Sequence, residues 1–503
     1  MGATQYHRGV VVVGIDLGTQ SLKAVVCLVG KDGLVVRGQH AVAYATQYPA
    51  ADRAEQDPRA WEAALGPAIG GALAAAEVGV DQVAAIAIAG QLDGCVAVGA
   101  AGEPLHPALI WQDRRAVREA ERVDARRLFA LTGQVADAGH MAPKLVWLRR
   151  ARPAAVRFHQ PVSYLVERLT GASVIDPALA STTMLLELVT SRWSGELLDA
   201  FGVAASELPV VRPACEVAGV LTADGARLTG LPAGIRVAVG TGDDFAAPIG
   251  AGVVAPGPVV CVVGTAEVVG GLAAAVVLDP APEPMVETHG FPAGGFFVEN
   301  PGWMSGGAVR WASRMLGLGG DAELDALAAA APQGAAGVAF IPALAGAMTP
   351  VWRPHARGTL HGLAAGHDRG HVARAVLEGL ACATRDVVER LASLGLAAHE
   401  VVLVGGGARS RVWGQIRADL VGVPHRVAAH TDATPLGAAM IAAVAAGLAP
   451  DLATLAARVP PPTATFLPDP GAATAASECY ARYRRLVDQL APLATAPWQT
   501  HGE

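Results

Sequence analysis

Val10-Val11-Val12-Val13-Gly14-Ile15-Asp16-Leu17-Gly18-Thr19-Gln20-Ser21 decides how the chain is read. The β-branched run Val10–Ile15 has the length and composition of a central strand buried on both faces. It delivers a carboxylate, a glycine, a threonine, a glutamine and a serine. An Asp in that place suits a hydrated Mg²⁺. Gly18 lets the backbone turn tightly, and the N–H groups and hydroxyls that follow suit phosphate oxygens. A second copy follows: the apolar strand Pro258–Val263 runs into Gly264-Thr265-Ala266-Glu267. Two strand–turn–strand units predict a duplicated fold with one phosphate-gripping turn per half.

The length fits that reading, because 503 residues are too many for one core. The composition is 52% apolar, yet the longest apolar stretch, Val259–Leu278, carries Glu267 and several glycines. No membrane helix is predicted. The N-terminus lacks the long apolar core of a secretory signal, and Tyr6 argues against the myristoylation pattern, so a cytoplasmic location is expected. The six cysteines form no Cys-x-x-Cys, which argues against a zinc site or a disulfide framework. A net charge of −7 argues against nucleic acid as the main partner. The only lysines are Lys23, Lys31 and Lys144, and none sits in a P-loop. The histidines make no His-Glu-x-x-His, and no Gly-x-Ser-x-Gly elbow occurs.

Further strands are predicted at Leu22–Leu28, Leu34–Tyr44, Val83–Ala89, Arg236–Val239 and Val401–Val404. Cys95–Val98 and Ala108–Trp111 read as a hairpin, with helices from there to about residue 200. Pro58–Glu77 reads as a helix with Asp57 at its N-cap. Other helices are expected over 246–253, 305–316, 371–394, 409–421, 434–446 and 475–493. Three loops carry candidate chemistry: Gly90-Gln91-Leu92-Asp93-Gly94, Gly240-Thr241-Gly242-Asp243-Asp244 and Gly405-Gly406-Gly407. The last lacks the spacing of a Rossmann site, since Ser410 stands at its third glycine position. From residue chemistry alone, Asp243 is either a base or the cap of the helix at Ala246, and His140 and Lys144 read as a capping residue and a solvated one.

With these residues on the page, the chain resembles the FGGY family of carbohydrate kinases. Gly358-Thr-Leu-His-Gly-Leu363, followed after seven residues by His371-Val-Ala-Arg-Ala-Val-Leu-Glu378, is similar to the family's C-terminal signature. Pro143-Lys-Leu-Val-Trp-Leu148 is similar to the N-terminal one, with Met141 departing from it. Within the family the pattern looks like that of xylulokinases. Asp93 stands where His is usual, and Asp244 where Asn is usual. Trp111-Gln-Asp-Arg-Arg115 also looks like glycerol kinase.

The resemblance implies an α/β fold of two ribonuclease H-like domains, of actin/hexokinase type, with an interdomain cleft. The expected division is 1–235, the sugar side with the first phosphate turn; 236–470, the nucleotide side with the catalytic Asp; and 471–503, a helix packing back on the body. It implies ATP and Mg²⁺, a small sugar as substrate, no nucleic acid and no membrane, and is compatible with a homodimer. Asp243 becomes the general base and Asp16 the Mg²⁺ anchor. Gly18, Thr19, Gln20, Ser21, Gly264 and Thr265 become phosphate-turn residues. Gly405, Gly406, Gly407 and Ser410 become the adenosine loop. Gln91, Asp93, Trp111, Asp113, Asp243 and Asp244 become the sugar side, since polyhydroxylated ligands need carboxylates, amides and an aromatic face. The expected reaction phosphorylates a terminal hydroxyl of D-xylulose. The alternatives are ribulose, L-xylulose, erythritol or glycerol, or an actin-fold ATPase that is no kinase.

Overall fold

The computed structural model describes residues 9–494. The N-terminal segment read for a leader lies outside them. Two compact units divide the described residues: one holds 9–254 together with Thr288–Phe296 and Ala433–Val459, and the other holds Ala255–Glu287, Phe297–Asp432 and 460–494.

The first unit is built on the opening strand. β1 (Val11–Leu17) is buried along nearly its whole length, as its apolar run requires. It pairs antiparallel with β2 (Ser21–Gly30), which pairs with β3 (Gly33–Ala43). On its other side β1 pairs parallel with β4 (Val83–Gly90). β5 (Val217–Val220) and β6 (Arg236–Ala238) complete the order β5–β6–β4–β1–β2–β3, and β7 (Thr241–Gly242) also pairs with β4. The strand expected to open the second domain thus belongs to the first sheet, because its apolar Val237 and Ala238 are buried there.

α1 (Pro58–Ala76) packs on β2 and β3, with the Asp57 carboxylate accepting from Arg59 N–H at 3.0 Å. α2 (Met141–Ala151), α3 (Pro177–Ser181) and α4 (Asp243–Gly250) also belong to this unit. α4 starts three residues earlier than expected and takes in both Asp243 and Asp244. Its N-cap is Gly242, which offers no side-chain bond, so neither Asp is the cap. The expected hairpin of 95–98 with 108–111 does not form. Val96–Val98 pairs with Arg157–His159, Ala108–Leu109 pairs with Glu55–Gln56, and one bridge joins Cys95 to Leu109. Pro104 and Pro107 remove ladder donors from the connection. Trp111 therefore lies past its strand, in a turn.

In the second unit, β8 (Val259–Val263) and β9 (Ala266–Ala273) form the second antiparallel hairpin. With β10 (Phe296–Met304), β11 (Val401–Val404), β12 (His425–Val427) and β13 (Ala464–Phe466) the order is β10–β9–β8–β11–β12–β13. β8 pairs parallel with β11, as β1 does with β4. Each unit thus repeats one pattern: a hairpin with a Gly-Thr turn, flanked by a parallel strand.

α5 (Gly306–Met315), α6 (Arg369–Ser393) and α7 (Arg411–Val421) pack in the second unit. α8 (Ala433–Ala445) returns to the first unit, where it lies on β1, β2 and β4 and crosses α4. Gly437 allows that crossing: a Cβ there would stand 2.0 Å from Ala246 O. α9 (Ala473–Leu490) belongs to the second unit, with the Tyr480 and Tyr483 hydroxyls donating to Asp386 at 2.8 and 3.0 Å. No described helix is long and apolar enough to cross a membrane.

Candidate active site

Sheet register brings the first unit's candidates together. Asp16, Ala89 and Thr241 lie in one row across β1, β4 and β7, and Leu17, Gly90 and Gly242 lie in the next. The chain leaves that row at three adjacent points, carrying Gly18–Ser21, Gln91–Asp93 and Asp243–Asp244. Short parallel strands therefore converge three distant loops, as sheets of this kind do at their carboxyl ends.

The first turn is held from outside. Gly18 N–H donates to Ser21 O at 3.1 Å, and the Tyr44 hydroxyl donates to Gly18 O. Gly18 is absent from the positive-φ glycines, so left-handed backbone is not what selects it. The Gln56 amide donates to Thr19 O at 2.6 Å, and the Gln91 amide donates to Gln56 Oε1 at 2.9 Å. Trp111 Nε1–H donates to the Thr19 hydroxyl at 3.0 Å. Gln91 is 1% exposed and leaves its own Oε1 unpaired. Gln20 is exposed, and Thr19 and Ser21 are half-buried. Burial raises the Tyr44 phenol, and the charges of Asp16 and Asp243 add to the rise.

Asp113 behaves differently from the sugar-side role foreseen for it. It is fully buried, accepts from Ala54 N–H at 2.8 Å and pairs with Arg115 at 2.7 Å, and Arg115 also reaches Glu55 at 2.6 Å. Its oxygens serve the fold.

Asp93 has a positive φ of 63°, a strained conformation for a residue with a Cβ. Its Oδ1 faces His140 Nδ1 at 3.0 Å, its N–H donates to Gln160 at 3.0 Å, and its carbonyl accepts from Lys144 Nζ at 2.9 Å. Burial pushes its carboxyl up, but His140, Lys144 and His289 outweigh it and hold the group below the usual carboxylate range. Lys144, expected in solvent, is fully buried, and burial brings its ammonium down to about 7. His140 takes the N-cap position of α2 but makes no cap bond there.

Asp243, at the first position of α4, is pushed by burial up to about 6, with the charge of Asp93 adding to the rise. Asp244 is also pushed well up, by burial first and then by Asp243 and Asp93. Two residues ahead, the Thr241 hydroxyl donates to the buried Asp176 carboxylate at 3.0 Å. Sequence reading missed Tyr44, Gln56, Asp176 and His289, none of which sits in a recognisable pattern.

In the second unit the Gly264–Thr265 turn is exposed, and Arg310 donates to the Thr265 hydroxyl at 2.9 Å. Gly405, with φ of 86°, lies against the end of β8, where a Cβ would stand 2.6 Å from Val263 O. Only a glycine allows both that dihedral and that approach. Ser410 accepts from Trp413 N–H at 3.0 Å, capping α7. The Thr265 turn and the Gly405 loop thus leave neighbouring strand ends.

Among the described residues no group of three or more His, Cys, Asp or Glu is arranged to hold a metal. Asp16 as a single carboxylate ligand fits a Mg²⁺ that keeps water and phosphate oxygens as its other ligands, and does not fit an all-protein cage.

Comparison with known proteins identifies the family. The N-terminal domain of the FGGY family of carbohydrate kinases matches residues 11–250, and the C-terminal domain matches residues 259–446. Xylulose kinase of Escherichia coli K12 is 31% identical over 489 residues, covering 96% of this chain and 99% of the relative. Glycerol kinase of Citrifermentans bemidjiense is 34% identical over 463 residues, covering 87% and 90%. The crystal structure of xylulose kinase from Rhodospirillum rubrum superposes with a TM-score of 0.86 at 29% identity, covering 97% of this chain and 100% of that one. The fold is the two-domain α/β fold of the actin and hexokinase class, and the protein is a phosphotransferase with an alcohol acceptor. The chain belongs to the FGGY family of carbohydrate kinases. Kinases of this family take their phosphate from ATP, which removes the non-kinase ATPase as a reading.

Proposed function

We propose that this kinase phosphorylates the terminal hydroxyl of a small ketose, D-xylulose, with Asp243 as the base. The supporting observation is the placement of Asp243 at the start of α4, directly after Gly242, whose strand partner Gly90 leads into the Asp93 loop and pairs with Leu17, the neighbour of Asp16. Phosphoryl transfer needs little covalent work from a protein beyond in-line positioning and charge neutralisation. Asp243, ionised above about pH 6, takes the hydroxyl proton as the O–P bond forms. Asp16 would hold Mg²⁺, which screens the phosphate charge when bound. The Thr265 turn with Arg310 and the Gly405–Gly407 loop are read as the second unit's groups for ATP, and the Thr19 turn as the first unit's phosphate turn.

Asp93 supports a second acceptor class. Held ionised, it offers only acceptors, whereas a neutral His offers one donor and one acceptor. It therefore favours an acceptor that presents hydroxyl donors on that side, as a polyol does. A panel of D-xylulose, ribulose, L-xylulose, erythritol and glycerol, read by ADP release, tests the proposal. D-xylulose should give the highest kcat/KM. A tenfold preference for another member would replace it as the substrate.

A further inference from the structure

Directly after the Thr265 turn, the second unit buries an ion pair that no step above uses. Glu267, the second residue of β9, is 0% exposed, and Arg417 of α7 is 1% exposed. The guanidinium grips both carboxylate oxygens, at 2.7 and 2.5 Å. Ser305 donates to the same carboxylate at 2.5 Å, Thr384 at 2.7 Å and the Cys261 thiol at 3.2 Å. Every lone pair in reach is occupied, as a buried charge requires.

The network has two ends. At one, the Ser305 and Gly307 N–H groups donate to Thr265 O, each at 3.0 Å, and Gly306 N–H donates to Gly264 O at 3.1 Å. The carboxylate that holds the Ser305 side chain therefore also fixes the backbone that cradles the turn. At the other end the Arg417 guanidinium lies over the Trp413 ring, 4.1 Å from its centroid. That ring abuts Gly407, where a Cβ would stand 3.0 Å from it, and Trp413 N–H is bonded to Ser410. One continuous set of contacts thus runs from the Thr265 turn to the Gly405–Ser410 loop.

We propose that Glu267 and Arg417 are positioning residues for the phosphate donor, locking the Thr265 turn and the Gly405–Gly407 loop at one spacing. The inference rests on reading those two loops as the nucleotide side. A bidentate, planar pair suits the task, because it fixes orientation as well as distance. Misplacing a reacting group by about 1 Å is enough to cost on the order of 10²-fold in rate.

The test compares wild type with Arg417→Lys, which keeps the charge and loses the fork, and with the double variant Glu267→Leu/Arg417→Met. Replacing both members of a buried pair by apolar residues of similar volume is often neutral for stability, whereas removing one member leaves a buried charge unpaired. Calorimetry with Mg-ADP and, separately, with D-xylulose is run beside thermal melting and KM for each substrate. Both variants should bind Mg-ADP about tenfold more weakly or worse, with KM for ATP rising in step and sugar affinity unchanged. Wild-type Mg-ADP affinity and KM for ATP in a cooperatively melting variant would overturn the proposal. If the double variant fails to fold, Arg417→Lys decides alone by the same criterion. Thr265→Val and Gly407→Val separate the two levels. If they leave Mg-ADP affinity untouched, the nucleotide reading itself falls. If they weaken it while the pair variants do not, only the positioning role falls.

Discussion

Asp243 and Asp93 are coupled through their charges, and the coupling has a measurable sign. Protonated Asp243 accepts no proton, so kcat/KM should rise with pH through about 6 and level off above it. Asp93→Asn removes a negative neighbour, which makes ionisation of Asp243 easier. The midpoint of the acid limb should then move to lower pH, and a pH–rate profile of both enzymes reads the shift. An unmoved midpoint would separate the two groups. Asp243→Asn keeps the shape and loses the acceptor, so kcat should fall on the order of 10²-fold or more while Mg-ADP affinity stays close to wild type. Asp93→His tests the reading of the sugar. Leaving a buried polar group unpaired costs about 1–3 kcal/mol, enough to reorder acceptors. Wild type and variant should therefore rank the acceptor panel differently, and identical rankings would take Asp93 out of substrate selection.

α4 owes its place to α8, and the contact is backbone on backbone. A Cβ at Gly250 would stand 2.0 Å from Ala433 O, as one at Gly437 would from Ala246 O. Gly437→Ala should therefore destabilise by about 1–3 kcal/mol, the usual cost of overpacking, and also lower kcat by tilting the element that carries Asp243. Asp57→Ala supplies the comparison. Loss of that cap should cost about 1 kcal/mol in denaturant titration and leave kcat unchanged. Equal loss of kcat in both would show that activity follows stability alone. Elements of this kind are legible in sequence where the cause is local. Asp57-Pro58 marks the start of α1, and the run Val10–Ile15 marks β1. The three candidate loops are legible as loops too, because their glycines sit at strand ends. The start of α4 is not, since Gly-Asp-Asp looks like a loop until packing against α8 extends the helix. Lys144 escapes for a similar reason: a lone lysine reads as solvated until two backbone carbonyls are brought to it. Glu267 and Arg417 lie 150 residues apart and leave no local trace.

The first unit is not continuous in the chain. Ala433–Val459 belongs to it, and α8 covers β1, where a Cβ on Gly14 would stand 1.9 Å from Pro435 O. A fragment ending at Val254 would lack that cover. It should expose the apolar face of its central strands and melt without a cooperative transition, as followed by circular dichroism. Joining residues 433–459 to it by a flexible linker should restore cooperativity. A fragment that melts sharply without them would show that α8 is dispensable. The same interleaving sets a timetable during synthesis. The ribosome finishes the sheet that carries Asp16 and Asp243 long before it makes residue 445, and at about 5–20 residues per second the gap lasts between about 10 and 40 s. Throughout that interval the helix that carries Asp243 lacks the α8 backbone it is packed against in the finished fold, so the half of the protein made first is the half that must wait.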